Sequence, residues 1–286
     1  MANVATFPRG RIPVTRYAGE AYAAAFEHLS DLLRMAWLPV GLIGVVDYFV
    51  LLTVYRNLPA STDASAPETG WLQLLPIVVD LLQLPLVSII AVAWHRLMLR
   101  DEPLGAGGEL PLDGFVWRYT RLALILTLCM MLVGLGPSLA ISRLMPPGEV
   151  PTAGESGTLA GLSLLALVAL VVSLVVFVRL SLLLPALAIG RNLTIREVWS
   201  GTRGSFWRLL LGALITTVPP ALTLMILGVA LVSVNPGLSA AWSAAIDTVL
   251  TMLNVLASVT SLGFLSLAYR HLFEPPPFPT GVGVPH

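Results

Sequence analysis

Residues 177–210 read FVRLSLLLPALAIGRNLTIREVWSGTRGSFWRLL, and the interpretation of the whole chain starts from this stretch. It leaves one long apolar run, crosses a polar segment and enters another apolar run. Five arginines lie within it: Arg179, Arg191, Arg196, Arg203 and Arg208. An arginine-rich connection between two bilayer-length runs is typical of a cytoplasmic loop in a membrane protein.

The composition of the 286 residues excludes an ordinary soluble domain. Hydrophobic residues make up 56% of the chain and charged residues only 11%, whereas soluble domains carry roughly 25% charged residues. A chain with so few charges cannot cover a globular surface with polar groups, so it is predicted to be an integral membrane protein. The formal net charge is zero, and we expect no nucleic-acid partner.

Six apolar runs approach the length of about 20 residues that a membrane-spanning helix needs. The predicted fold is therefore all-α, a polytopic membrane bundle of six transmembrane helices arranged as three hairpins with interfacial amphipathic helices. The predicted spans cover residues 36–55, 71–93, 122–141, 159–178, 209–232 and 240–268. They form a membrane domain over 35–273, preceded by an N-terminal segment over 1–34 and followed by a proline-rich tail over 274–286 that we expect to be disordered.

The distribution of the 16 arginines predicts the orientation. Only Arg56 and Arg143 fall in the connections on one side of the predicted bundle, and the other arginines fall on the opposite side with both termini. Because positively charged residues are retained on the cytoplasmic side, we expect the N- and C-termini to be cytoplasmic.

Short amphipathic segments are predicted on the arginine-rich side. Tyr22, Phe26, Leu29 and Leu33 share one helical face before the first span, an arrangement that suits a helix lying in the membrane interface.

Two helix starts are predicted on the same side from capping residues. Thr194 and Glu197 have the spacing of a capping box, in which each side chain binds the backbone amide of the other residue. Asp113 is positioned to cap another short helix before the third span.

Part of this arginine-rich stretch resembles a known group of sequences. Residues 179–199, RLSLLLPALAIGRNLTIREVW, with TRGSFWRL at 202–209 and AWHR at 93–96, resemble a family of uncharacterised bacterial six-span membrane proteins. That family is similar to the membrane domain fused to some glycerophosphodiester phosphodiesterases. The resemblance implies six spans and a bacterial inner membrane. The chain contains no phosphodiesterase domain, so the resemblance implies no activity and no catalytic residue.

Three aspartates, Asp47, Asp80 and Asp247, fall inside predicted spans. Their spacing from the span ends places each roughly 10–14 Å below the outer surface. An ionisable side chain at that depth is a functional candidate. One interpretation is a proton or cation site, and the other is a protonated acid that donates a hydrogen bond to a neighbouring helix.

The sixth span carries a polar stripe along one helical face. Its members are Ser243, Asp247, Thr251, Asn254, Ser258 and Ser261. The stripe lines a hydrophilic path in one interpretation and joins helices by hydrogen bonds in the other. The candidate intramembrane polar site comprises Asp47, Asp80, Asp247, Thr251 and Asn254.

The histidines, the cysteine and the lack of known motifs argue against a metal site, a cofactor site or an enzyme. The four histidines lack metal-ligand spacing, and the single cysteine excludes a cysteine-cluster site. No catalytic or nucleotide-binding motif is present, so we expect no cofactor and favour a non-enzyme. The five arginines quoted at the start are candidate contacts for anionic lipid head groups.

Two functional hypotheses follow. In the first, the protein binds or handles a lipid or envelope component, or serves as a membrane subunit for a protein partner. The alternative is a proton- or cation-coupled transporter that uses the intramembrane aspartates.

Overall fold

The structure, a computed structural model, describes residues 11–57, 70–104, 112–144, 153–234 and 239–274. The proline-rich tail beyond Glu274 and most of the first connection between spans lie outside the described residues. Within the described ranges every regular element is a helix. The ten helices are α1 (Val14–Glu27), α2 (Leu29–Asn57), α3 (Gly70–Arg100), α4 (Gly114–Leu144), α5 (Ala153–Leu180), α6 (Leu183–Ala188), α7 (Ile195–Gly201), α8 (Phe206–Val234), α9 (Ala240–Ala257) and α10 (Val259–Phe273).

Six segments of this helical chain are long and apolar enough to cross a membrane. They are formed by α2, α3, α4, α5 continued by α6, α8, and α9 continued by α10. The predicted fold class, a polytopic helical bundle with six spans, is confirmed. The chain is a multi-pass membrane protein.

The spans pack as three hairpins, α2 with α3, α4 with α5, and α8 with α9. The most extensive packing joins α2 to α9, so the first and last hairpins form one unit. Gly44 permits the close approach of α2 and α9, because a Cβ atom there would lie 2.7 Å from the sulfur of Met252. Small residues have this role widely in membrane helix pairs.

One end of the bundle contains nearly all of the tight packing. We call it the basic end; it comprises α1, α6, α7, the start of α4 and α8, and the last turns of α3, α5 and α10. Its three apolar clusters contain Trp94, Leu182, Ala186, Ala268 and Tyr269, each 0% exposed. We call the other half of the bundle the open half.

Helix α6 shows that the arginine-rich connection is not polar throughout. We predicted a polar loop from residue 179 to 208, but the chain turns at Ser181 and buries α6 at the centre of the basic end. The run LLLPALA is too short to span a bilayer, yet apolar enough to be buried within protein. The correction concerns the first half of the loop only, since α7 and its flanks are mostly exposed, apart from the buried Val198 and Thr202.

Two arginines of α3 satisfy the free carbonyls at the end of α6. The Arg96 Nε donates to the Ala188 oxygen at 2.9 Å, and Arg100 donates to the Ile189 oxygen. Helix C-termini leave such carbonyls unpaired and carry partial negative charge. The two guanidinium groups therefore make the burial of a short helix possible.

The predicted N-terminal helix is present as α1, but it ends at Glu27, so Leu29 and Leu33 of the predicted face lie in the spanning helix α2. A different face of α1 holds it to the bundle. Its alanines, Ala18, Ala21 and Ala25, are buried where α1 packs against α10 and α8. Phe26 is 74% exposed and continues the apolar face that we predicted for the membrane interface. Tyr22 is the exception on that face, because its hydroxyl donates to the Ile215 oxygen at 3.0 Å.

The capping predictions have different outcomes. The Thr194–Glu197 capping box is confirmed at the start of α7. Asp113 does cap a helix, since its carboxylate accepts from the amides of Phe115 and Val116 at 3.0 and 2.9 Å. That helix is the spanning helix α4 itself, so the separate short helix that we predicted before the third span is wrong.

Candidate functional site

Two of the three predicted aspartates lie on helices that pack against each other, α2 and α3. Asp47 on α2 is buried, and its Oδ1 atom accepts a hydrogen bond from the Gln83 Nε2 atom of α3 at 2.7 Å. Asp80 lies three residues before Gln83 and close enough to Asp47 for an electrostatic interaction. Asp80 itself is exposed. The α2–α3 pair therefore carries one buried and one exposed carboxyl group that interact electrostatically.

The third aspartate lies at another interface. Asp247 on α9 accepts a hydrogen bond from the Tyr55 hydroxyl of α2. Tyr55 follows Asp47 by eight residues, which is about 12 Å along a helix. The contacts therefore divide the three aspartates into a pair on α2 and α3 and a single group held by Tyr55.

The other residues of the polar stripe in the sixth span also fall into two groups, which differ in exposure and in contacts. Thr251 is half-buried and Asn254 is exposed. At Ser258 the helix breaks between α9 and α10, and the Ser261 hydroxyl lies 2.8 Å from that of Thr217 on α8. Towards the basic end the stripe thus joins helices, whereas Asn254 remains available in the open half.

Asp80 is exposed because the α4–α5 hairpin does not cover α3 at the level of this residue. Ala91 lies eleven residues, or three turns, beyond Asp80 on the same face of α3, and it is buried in a cluster with Val116 and Tyr119 of α4. At the level of Asp80 the same face is uncovered. The α4–α5 hairpin therefore contacts α3 near the basic end and leaves it further along.

The surface of α5 supports this description. Leu164, Leu165, Leu167 and Val168 are 52–65% exposed, and together with Val172 they cover more than a third of the helix circumference. In the open half, this surface of α5 and the face of α3 around Asp80 are both uncovered, and we call the region between α3 and the α4–α5 hairpin at this level the lateral cleft.

A buried histidine connects three helices at the basic end. The His95 Nδ1 atom lies 2.7 Å from the Ser266 hydroxyl of α10, and its Nε2 atom lies 3.3 Å from the Tyr119 hydroxyl of α4. A serine beside a histidine can form a nucleophile–base pair, but His95 and Ser266 are both 0% exposed. No substrate can reach them in this conformation, so the cluster is structural.

Two of the five candidate lipid-binding arginines bind the protein's own backbone. Arg191 donates to the Phe273 oxygen at the end of α10, and Arg208 donates to the Ile12 oxygen, each at 3.0 Å. These two side chains tie the chain ends to the basic end.

The other three arginines differ in exposure. The Arg179 guanidinium lies 4.4 Å from the centroid of the Trp199 ring and 5.9 Å from that of Phe206, within cation–π range. Arg196 and Arg203 are exposed. These two are the members of the predicted set best placed to meet an anionic lipid surface.

The capping box alters the acidity of one surface carboxyl. Hydrogen bonds from the Thr194 backbone amide, and then from its hydroxyl, hold the pKa of Glu197 below its ordinary value. The Thr194 amide lies 2.7 Å from the Glu197 Oε2 atom. This charge stabilises α7, which carries Trp199 over Arg179.

Sequence reasoning missed Gln83, Tyr55 and His95. Gln83 and Tyr55 are polar residues in or at the edge of apolar runs, and this signal could have marked them as partners for the aspartates. His95 had the same signal, but nothing in its neighbours along the chain indicates Ser266 or Tyr119, which lie on other helices.

In the part of the chain that the structure describes, no group of three or more His, Cys, Asp or Glu side chains is arranged to hold a metal ion. Comparisons of the chain with protein-family models, curated proteins and solved structures find no match. The functional argument therefore depends on the geometry described above.

Proposed function

We propose that this protein resides in a bacterial inner membrane and binds a lipid or another envelope component in the lateral cleft of its open half. The basic end and both termini would lie in the cytoplasm. The concentration of arginines at the basic end supports this orientation, since positive charge is retained on that side. The resemblance to bacterial six-span proteins supports the choice of membrane.

The exposed carboxyl group of Asp80 is the observation that carries the proposal. Helix α3 has 31 residues, or about 46 Å, and exceeds the hydrocarbon thickness of about 30 Å. Asp80 is its eleventh residue, about 15 Å from the far end, so it lies at hydrocarbon depth. A polar group exposed to acyl chains is costly, and a ligand with polar atoms entering the cleft removes that cost.

The proposal is tested by native mass spectrometry of the full chain purified in a mild detergent. Wild-type protein should retain a lipid or envelope component, and Asp80→Leu should lose it. Leu82→Ala is the matched control, because Leu82 is 73% exposed on the same helix and is expected to leave binding unchanged. Equal retention by wild type and Asp80→Leu contradicts the proposal. A stoichiometric protein partner in place of the small molecule would instead favour a membrane subunit.

The second candidate is proton- or cation-coupled transport, and the placement of Asp47 and Asp80 on one pair of membrane-spanning helices, where they interact electrostatically, favours it. Carboxyl groups within membrane-spanning helices are used in proton relays. The chain reconstituted in liposomes should then carry a proton flux under a potassium diffusion potential. Asp47→Asn and Asp80→Asn should abolish that flux. A flux equal to that of protein-free liposomes excludes this candidate.

A further inference from the structure

A groove at the basic end is separate from the lateral cleft. It has a volume of about 570 Å³ and lies between the elbow that joins α1 to α2, the end of α3, and α10. Sites for small molecules commonly enclose about 300–1,000 Å³. Leu97, Met98 and Leu267 supply apolar surface, whereas Asp31, Asp101 and Arg270 supply charge. The groove thus has the two kinds of surface that an amphiphilic molecule needs.

The charges of the groove are only partly neutralised within the protein. Glu20, which also lines it, is paired with Arg16 at 2.7 Å, and Asp31 lies 4.0 Å from the His28 ring. Asp101 and Arg270 form no ion pair among the described residues. One unpaired acid and one unpaired base therefore line the same groove.

We propose that the groove binds a head group that carries both an ammonium and a phosphate. Asp101, assisted by Asp31, would accept hydrogen bonds from the ammonium group, and Arg270 would donate to the phosphate. The leucine and methionine surface would contact the start of an acyl chain. A purely anionic head group is disfavoured by the two carboxylates, and a purely cationic one is disfavoured by Arg270.

This chemistry occurs in a zwitterionic phospholipid and in free phosphoethanolamine. The apolar surface formed by Leu97, Met98 and Leu267 favours the lipid, because the soluble molecule has no chain to bury there. The two sources are therefore distinguished by the part of the groove that each one fills.

The test is calorimetric binding to the full chain in detergent with three probes. They are a short-chain phosphatidylethanolamine, a phosphatidylglycerol of the same chain length, and phosphoethanolamine. We expect the phosphatidylethanolamine to bind, and the other two probes to bind at least about tenfold more weakly. The phosphatidylglycerol lacks the ammonium group that Asp101 would bind, and phosphoethanolamine lacks the acyl chain that the apolar surface would contact.

Variants of Asp101 and Arg270 then test which side chain binds each charged group of the ligand. Asp101→Asn and Arg270→Gln should each weaken phosphatidylethanolamine binding about tenfold, and Arg270→Lys should restore part of it. Arg203→Gln is the matched control, because Arg203 is exposed outside the groove. Asp80→Leu should also leave this affinity unchanged, because Asp80 lies outside the groove. The test of the groove is therefore independent of the function proposed for the lateral cleft.

The remaining outcomes are decisive. Equal affinity for phosphatidylglycerol, or an Arg270→Gln variant that binds as well as wild type, would overturn the zwitterion site. Absence of binding by every probe to folded protein would overturn it as well. Tight binding of phosphoethanolamine would confirm the head-group chemistry and identify a soluble ligand rather than a lipid.

Discussion

The two halves of the bundle differ strongly in packing. At the basic end, Trp94 and Tyr269 are 0% exposed, whereas Leu82, Leu132 and Val234 in the open half are more than 70% exposed. The sixth span, Ala240–Phe273, has 34 residues across its two helices, or at most about 51 Å, so up to about 20 Å of it extends beyond the hydrocarbon. Apolar burial is driven strongly where water competes and weakly where lipid surrounds the helices.

This difference indicates where stability resides. The basic end combines apolar burial with arginines that satisfy helix carbonyls, so it behaves like the core of a soluble protein. The open half depends on scattered contacts such as Asp47–Gln83 and Tyr55–Asp247. Substitutions at the basic end should therefore reduce the free energy of unfolding, and those in the open half should alter ligand binding or transport instead.

The largest effect is expected from Gly212→Ala at the basic end. A Cβ atom at Gly212 of α8 would lie 1.8 Å from the Phe264 ring of α10, which is 2% exposed and has little room to move. We expect a loss of about 3 kcal/mol in the free energy of unfolding, as for overpacked cores. Titration with a denaturing detergent, followed by circular dichroism, measures it.

Gly161→Ala is the matched control in the open half. Nothing lies within 4 Å of a Cβ atom at Gly161 in α5, and alanine favours helices by up to about 1 kcal/mol over glycine. This variant should be as stable as wild type or more stable. Similar losses for the two glycine variants would show that the halves do not differ in packing.

A smaller effect is expected for His95→Ala. It removes a hydrogen-bond partner of the Tyr119 hydroxyl and one of the two partners of the Ser266 hydroxyl, and leaves a cavity between α3, α4 and α10. We expect a cost of about 2–3 kcal/mol, from one buried hydrogen-bond group and partial collapse of the site. The same detergent titration measures it.

Asn254→Ala provides the comparison in the open half for this prediction. Asn254 is exposed on α9, and exposed substitutions usually change stability by less than about 0.5 kcal/mol. If Asn254→Ala proved as destabilising as His95→Ala, the polar stripe would be a structural element throughout its length.

The sequence could predict those features of the fold that depend on residues close together along the chain. Six spans follow from hydropathy, and the Thr194–Glu197 box follows from a four-residue motif. The burial of α6 could not be predicted, because it depends on Arg96 and Arg100 of another helix. The partners of Asp47 and Asp247 are likewise set by how helices pack.

The alanine face of α1 illustrates the same limit. Hydrophobic periodicity pointed to the large side chains of Phe26 and Leu29 as the functional face of the N-terminal segment. The close contact with α10 is made instead by Ala21, which lies against Gly263. Small side chains contribute little to an amphipathic pattern, yet they determine which helix faces can approach. The candidate site was affected in the same way, since the sequence singled out the three aspartates but not their partners Gln83 and Tyr55, nor their division into two groups.

The smallest effect is expected at the surface of the basic end, in the capping box of α7. Thr194→Ala should reduce the stability of this helix by about 1 kcal/mol, the usual contribution of an N-cap. Hydrogen exchange of the peptide containing α7 measures it, and faster exchange should be confined to that peptide. Arg196→Gln is the control, because this exposed side chain lies on the same helix outside the box.

The same helix predicts a pH dependence with a defined sign. Folding lowers the pKa of Glu197, so its stabilising contribution is complete at neutral pH and is lost as the pH falls through the lowered folded-state pKa. The exchange rates of wild type and Glu197→Gln in α7 should therefore differ at pH 7 and converge at low pH. A difference that persisted after protonation would assign the effect to side-chain packing rather than to charge. Because Trp199 covers Arg179, loss of the cap should also loosen the Arg179 guanidinium, which lies near the rings of Trp199 and Phe206, whereas the open half should be unaffected.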